Sequence, residues 1–293
     1  MVVNGVYMVM VVRMNDTMSD YLEYKTWYNK NYILLEIVKQ LKNRETCFID
    51  SRDKRIALRC LKIHNLNHWN TIKKWSNFDQ HLYNIYYSLA RYKDGIPNQT
   101  LNISKRDNTE WNKEHWKHIE TFDFLIDFDA DNEEHAQELK RDVMAVSNIL
   151  QVPHSIRYSG MGYHIIIRGE YMPKLSYNPD DKNCYFDLVA ELLKSLKKNY
   201  CGFIDLSTCD SRRVVKIPYS LANYENEQYV CYPYRKHSEI ITIHPKQHTP
   251  SWILNSTDQI MYRGVPEINM DTQARIKATM KAILGKKWGK YEK

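Results

Sequence analysis

Along residues 122–129, FDFLIDFD, apolar and acidic positions alternate with a period of two. Alternate residues of a strand share a face. Phe122, Phe124, Ile126 and Phe128 therefore predict a buried face, with Asp123, Leu125, Asp127 and Asp129 on the other. Elsewhere the period changes. Trp27, Ile33, Leu34, Ile37, Val38 and Leu41 recur at helical spacing within 25–43. TCFID (46–50) and RIALRCLKIH (55–64) predict two strands joined by the charged turn SRDK. LYNIYYSLARY (82–92) predicts another strand, and EWNKEHWKHI (110–119) a short helix within a polar connection.

From residue 122 onward the predicted elements follow one another as β, α, β, β, α, β. The stretch 132–150 is a helix with Asn132 as N-cap and acids in its first turn. HSIRYS and YHIIIRG form a hairpin around GMG, 180–200 is a helix ending in lysines, and RRVVKI and IITIH are further strands. This is the split pattern of a ferredoxin-like or RNA-recognition-motif-like unit, and the fold class read from it is α+β.

Composition changes this picture only modestly. The chain of 293 residues is long enough for one large domain or two small ones. Its 42 Lys+Arg against 35 Asp+Glu leave a net charge of +7, which favours a polyanionic partner. The six cysteines, Cys47, Cys60, Cys184, Cys201, Cys209 and Cys231, form no C-x-x-C pair, so a structural zinc knuckle gets little support. The apolar N-terminal stretch MVVNGVYMVMVV lacks a basic leader and falls short of the ~20 residues that cross a bilayer. An intracellular protein with free thiols and no membrane partner is expected.

Three clusters carry candidate chemistry. Asp127 and Asp129, two apart on one strand, lie about 7 Å apart at Cα, close enough to bracket one or two divalent cations. The alternative is a solvated strand end beside a helix N-terminus, where acids are also stabilised. In SGMGYHIII (159–167), two glycines flank a tight turn whose N–H groups can approach an anion, and Ser159 and His164 can add donors. The alternative there is a glycine hairpin with a half-buried histidine. In FIDLSTCDSRRVVKIPYSL (203–221), Asp205 and Asp210 precede Arg212, Arg213 and Lys216.

In order, these clusters resemble the motifs of the archaeo-eukaryotic primase superfamily, in particular the small catalytic subunit of DNA primase. LIDFDAD is similar to the family's D-x-D strand and SGMGYH to its S-G-x-G-x-H turn. IDLSTCDSRRVVKIPYSL is similar to its third motif, an Asp followed by a basic strand and a P-x-S-L corner. RETCFID…RIALRCLKIHN and HLYNIYYSLARYKDGIP resemble the segments ahead of the catalytic strand. The likeness covers roughly residues 25–222. It implies the primase fold, an N-terminal α/β unit (25–118) and an RNA-recognition-motif-like unit (119–246) with the active site between them. Together these make up a catalytic domain of 1–246, followed by a basic, helical extension at 247–293.

Carried over residue by residue, the resemblance makes Asp127, Asp129 and Asp205 the metal-binding catalytic carboxylates, for two Mg²⁺ or Mn²⁺ ions. Glu45 becomes a further catalytic residue. Ser159, Gly160, Gly162, His164, Lys216, Arg44 and Arg59 become nucleotide-binding. The implied activity is template-directed synthesis of short primers by two-metal nucleotidyl transfer. Single-stranded DNA and nucleoside triphosphates would be its partners, and a separate primase large subunit would aid initiation. Three departures stand out. No cysteine-bearing zinc stem lies between the first two motifs, so no zinc is expected. The second motif is one residue shorter than the commonest subunit form, closer to compact primase-polymerases. Ala222 replaces the histidine usual after the P-x-S-L corner. A self-sufficient primase-polymerase or an end-joining or bypass polymerase are therefore alternatives. A nuclease or a non-catalytic nucleic-acid-binding protein stands further off.

Overall fold

A computed structural model describes residues 27–50, 57–78, 83–93, 115–129, 133–150, 152–159, 162–224, 227–230, 232–233 and 270–292. In chain order, helix α1 (Asn31–Gln40) leads into β1 (Thr46–Asp50), β2 (Ala57–Leu61), α2 (Leu66–Trp75), β3 (Tyr83–Ser88) and β4 (Ala90–Tyr92). Next come β5 (Ile119–Phe122), β6 (Phe124–Asp129), α3 (Glu133–Ile149), β7 (His154–Tyr158), β8 (Gly162–Ile167) and α4 (Tyr185–Asn199). The described chain closes with β9 (Val214–Lys216), β10 (Leu221–Tyr224), β11 (Glu227–Val230), β12 (Tyr232–Pro233) and α5 (Met270–Leu284). The architecture is α+β. The predicted strand IITIH and residues 110–114 of the predicted short helix lie outside the described residues; His115–His118 form a 3₁₀ turn.

Two four-stranded antiparallel sheets organise the molecule, in the orders β2-β1-β3-β9 and β12-β7-β8-β6. The first is backed by an aromatic cluster in which Phe48 meets Trp69, Phe78 and Tyr83 at centroid distances of 5.9, 5.0 and 5.6 Å. Inclined ring pairs of this kind add roughly 0.5–1.5 kcal/mol each beyond their buried area. The stretch 82–92 is not one strand. It breaks at Leu89, so that β3 joins the first sheet while β4 pairs with β5.

Sequence order alone misplaces the last strand of the β, α, β, β, α, β run. RRVVKI supplies β9, which leaves the β6 sheet and pairs with β3 at Tyr86↔Lys216 and Tyr87↔Val215. The outer edge of β6 is met instead by a single antiparallel bridge, Phe128↔Ile204. Asp205 N–H donates to Asp127 O at 2.9 Å, and Asp129 N–H to Phe203 O at 3.4 Å. The fourth position of the split sheet is thus filled by three residues, and the chain crosses to the other sheet directly after them.

The corner IPYSL seals that crossing. Ser220 Oγ accepts from Ile85 N–H at 2.7 Å, Tyr28 OH accepts from Leu221 N–H at 2.9 Å, and Trp27 Nε1–H donates to Tyr219 O at 2.8 Å. These contacts hold Tyr219 at φ +71°, a region that bulky residues rarely enter. Residues 270–292 fold onto α4. Ile276, Met280, Ile283, Leu284, Trp288 and Tyr291 are buried, and Ser195 Oγ–H donates to Ile283 O at 2.6 Å. Among the described residues, no helix is long and apolar enough to cross a membrane.

Gly162 is fixed by sterics. It stands opposite Asp129 in the β6–β8 ladder, and a Cβ there would lie 2.1 Å from Phe128 O. Any side chain pushes β8 away from the strand that carries the acids. Gly162→Ala is therefore expected to cost about 2 kcal/mol or more of stability, and equal melting temperatures for variant and parent would overturn this account.

Candidate metal centre

The centre is built from the end of β6 and the segment bridged to it. Asp127 and Asp129 keep the strand's two-residue period, so their side chains leave β6 on one face. The main-chain bond from Asp205 N–H to Asp127 O brings the third carboxylate alongside. One ligand oxygen from each of Asp127, Asp129 and Asp205 lies within 4.8 Å of the others. Asp127 is buried, Asp205 half-buried and Asp129 exposed, so the cluster opens to solvent on one side.

Burial is the largest cause that pushes the Asp127 carboxyl up, to about 7. The neighbouring charges of Asp129 and Asp205 push the same way, against the opposing pull of Arg213 and Lys216. At Asp205, burial pushes up too but is outweighed, and its carboxyl sits below the usual range. Ser207 donates to it from both backbone N–H (2.8 Å) and hydroxyl (2.6 Å), and Arg213 lies near. Two acids a few ångströms apart thus have opposite tendencies because only one is solvated and hydrogen-bonded.

Arg213 is the cation already in place. Its Nη2 is 3.3 Å from Asp205 Oδ2 and 3.6 Å from Asp127 Oδ2. The other oxygen, Asp127 Oδ1, is buried without a hydrogen-bond donor; His164 Nε2 lies 3.3 Å away but out of line. An orphaned buried oxygen on one of three convergent carboxylates fits a hard divalent cation such as Mg²⁺ or Mn²⁺.

His164 stands directly opposite Asp127 in the β6–β8 ladder, and Arg157 directly opposite His164 in the β7–β8 ladder. The three form one row across three strands. Burial, followed by the charges of Arg157, Lys216 and Arg213, holds the imidazole well below its ordinary pKa, so it is neutral at pH 7. Lys216 comes from β9 in the opposing sheet, and its Nζ donates to Ser159 O at 3.0 Å. Ser159 N–H closes the turn onto Gly162 O at 2.9 Å. Gly160 lies outside the described residues, and so do the side chains of 222–224, which include Ala222.

Arg44 and Glu45, just ahead of β1, part company. Arg44 is buried away from the cluster, donating to Ser88 O (2.9 Å), Leu89 O (3.0 Å) and Asp123 Oδ2 (2.7 Å). Asp123 in turn accepts from Gly169 N–H at 2.9 Å. Asp123 therefore does not extend the acidic row, since it sits at the break between β5 and β6 and serves Arg44. Glu45, 1% exposed, takes a forked contact from Arg59 at 2.8 and 3.3 Å. Arg59 also donates to Arg212 O at 2.8 Å. The Glu45–Arg59 pair reaches the carboxylates through the backbone of Arg212 and so positions Arg213. Arg213 and Arg157 were not singled out from the sequence as ligands. The pointer to Arg157 was a lone cation within the strand HSIRYS.

No protein-family model matches the chain, and no curated protein matches it.

Two expectations follow from the charges. The folded value of Asp127, about 7, lies above its ordinary value of 3.8. Its contribution to metal-free stability is present below pH ~4 and lost as pH rises through about 7. Asp127→Asn should therefore melt higher than the parent at pH 8 without divalent ions, with no such gain at pH 4. A parent that melts higher at pH 8 would contradict the burial argument. Mn²⁺ should raise the parent's melting temperature and leave Asp127→Asn unmoved. Arg213→Gln removes the internal cation, so its melting temperature should fall at pH 8 in EDTA while its gain from Mn²⁺ exceeds the parent's. An unchanged gain would show that Arg213 does not compete for the carboxylates.

Proposed function

We propose that the chain is a nucleotidyltransferase of the archaeo-eukaryotic primase type, which synthesises primers on single-stranded DNA from nucleoside triphosphates. The observation that carries this reading is the convergence of Asp127, Asp129 and Asp205, with ligand oxygens within 4.8 Å, beside His164 on β8. These are the residues that the three motif resemblances single out, drawn from strands and loops far apart in sequence. The position of Lys216 between the two sheets supports it further.

The chain's own groups would act as follows. Asp127, Asp129 and Asp205 would hold the cations. Bound there, divalent ions supply activation of an attacking hydroxyl and neutralisation of a leaving pyrophosphate. His164, neutral and carrying one ring proton, would donate it to a phosphate oxygen. Lys216 and Arg213 place positive charge where phosphate charge develops. Glu45 and Arg59 act at one remove, by fixing the backbone of Arg212.

A self-sufficient primase-polymerase is the second reading. α3 ends at Ile149 and β7 begins at His154, which leaves no room for an inserted stem between the first two motifs.

The decisive assay is nucleotide incorporation on single-stranded DNA, primed and unprimed, with Mg²⁺ or Mn²⁺. Asp127→Asn should lower incorporation at least about a hundredfold, as loss of a charge-stabilising group in an active site does. Activity within about tenfold of the parent would remove Asp127 from the chemistry. Template degraded to mononucleotides without synthesis would turn the reading to a nuclease. Efficient initiation by the chain alone would favour the self-sufficient enzyme over the subunit.

A further inference from the structure

Two buried arginines flank the ring of Tyr87, Arg44 with its guanidinium carbon 5.0 Å from the centroid and Arg157 at 5.6 Å. They are 6% exposed each, yet their surroundings differ. Arg44 is saturated by two carbonyl oxygens and the carboxylate of Asp123. Arg157 donates from Nη1 to Tyr87 OH at 2.6 Å, and its Nε is buried with no partner. No carboxylate among the described residues lies within ion-pairing distance of it. A buried cation without a counter-ion is costly, and natural cores pair such groups or present them to an anionic ligand.

The position of Arg157 indicates which. It occupies the third place in the row Asp127–His164–Arg157, on the same face of the sheet as the acid. His164 Nδ1 is likewise buried and unpartnered. Lys216 Nζ lies at Ser159 O, one residue beyond Tyr158. Two unpartnered nitrogens on adjacent strands thus extend the row that begins at Asp127, with Lys216 nearby.

We infer that Arg157 is an anion ligand of this site and binds the phosphate chain of the incoming nucleotide, one place further along the row than His164. This rests on the nucleotidyltransferase reading for the identity of the anion, but not for its existence. The planar fork of a guanidinium suits two phosphate oxygens, and an ammonium does not reproduce it. Tyr87 then acts as a positioning residue, its hydroxyl and ring fixing the guanidinium plane.

The probe is inorganic tripolyphosphate in EDTA, so that neither metal nor polymerase activity enters the measurement. Calorimetric titration should show binding by the parent, weakened about tenfold or more in Arg157→Met, as expected for a lost charge-assisted hydrogen bond. Arg157→Lys should bind between the two. Without ligand, Arg157→Met should melt no lower than the parent, since it loses an uncompensated charge and keeps an apolar stem. Tripolyphosphate should raise the melting temperature of the parent alone. Equal affinity in parent and in either folded Arg157 variant would overturn the assignment, as would failure of the parent to bind. Tyr87→Phe supplies the control for a packing role. If it lowers the melting temperature as much as Arg157→Met does, and neither changes affinity, Arg157 is a structural partner of Tyr87 only. Binding that depends on Arg157 in a chain that incorporates no nucleotide would uphold the anion site and dismiss the proposed polymerase.

Discussion

The hydrogen bond from Asp205 N–H to Asp127 O, 2.9 Å long, is the contact on which the site depends. It sits at the only bridge between β6 and the segment 203–205, Phe128↔Ile204, where a full strand would otherwise pair. A full strand there would continue along β6 and carry the chain away. A one-residue bridge holds Asp205 beside Asp127 and frees the chain to cross into the opposing sheet as β9. That crossing delivers Arg213 and Lys216 to the face from which Asp127 and His164 project. The third acid, Asp205, and the cations Arg213 and Lys216 that answer the cluster thus come from one short stretch of chain.

Like charges at this spacing repel, and the surrounding structure is arranged to hold them regardless. Gly162 lets β8 lie close against β6. Arg59, clamped on buried Glu45, fixes Arg212 O, and the neighbouring Arg213 spans Asp127 and Asp205. Leu89 N–H donates to Arg213 O at 3.1 Å, and Asp123 N–H to Leu89 O at 3.0 Å. The Arg44–Asp123 pair therefore belongs to the same frame, although neither residue touches the cluster. What remains uncompensated is informative. Asp127 Oδ1, His164 Nδ1 and Arg157 Nε are all buried and unpartnered within one row of three strands. These orphaned atoms are what the proposed site for a cation-bound polyphosphate rests on.

Much of this was legible in the chain itself. The period of two in LIDFD foretold that Asp127 and Asp129 share a face, and the stretches 132–150 and 180–200 contain α3 and α4. Glycines around a turn in SGMGYH announced the hairpin of β7 and β8, because few other residues permit so tight an approach. These features depend on neighbours in sequence, and local sterics and periodicity decide them.

Other features were decided only by packing between distant segments. RRVVKI has the composition of a strand whichever sheet it joins, and pairing with β3 is a choice made by long-range hydrogen bonds. Arg44 and Glu45 are adjacent letters of one motif, yet they serve different networks because consecutive side chains diverge and each finds its own partner some 14 to 79 residues away. The pairing of Asp123 with Arg44, and not with the other acids, followed from a break between two strands that alternation does not reveal. Nor could the sequence say that Arg157 would be buried with no counter-ion among the described residues. The composition of a strand names its charges, but whether a charge is answered depends on what the opposing sheet brings to it.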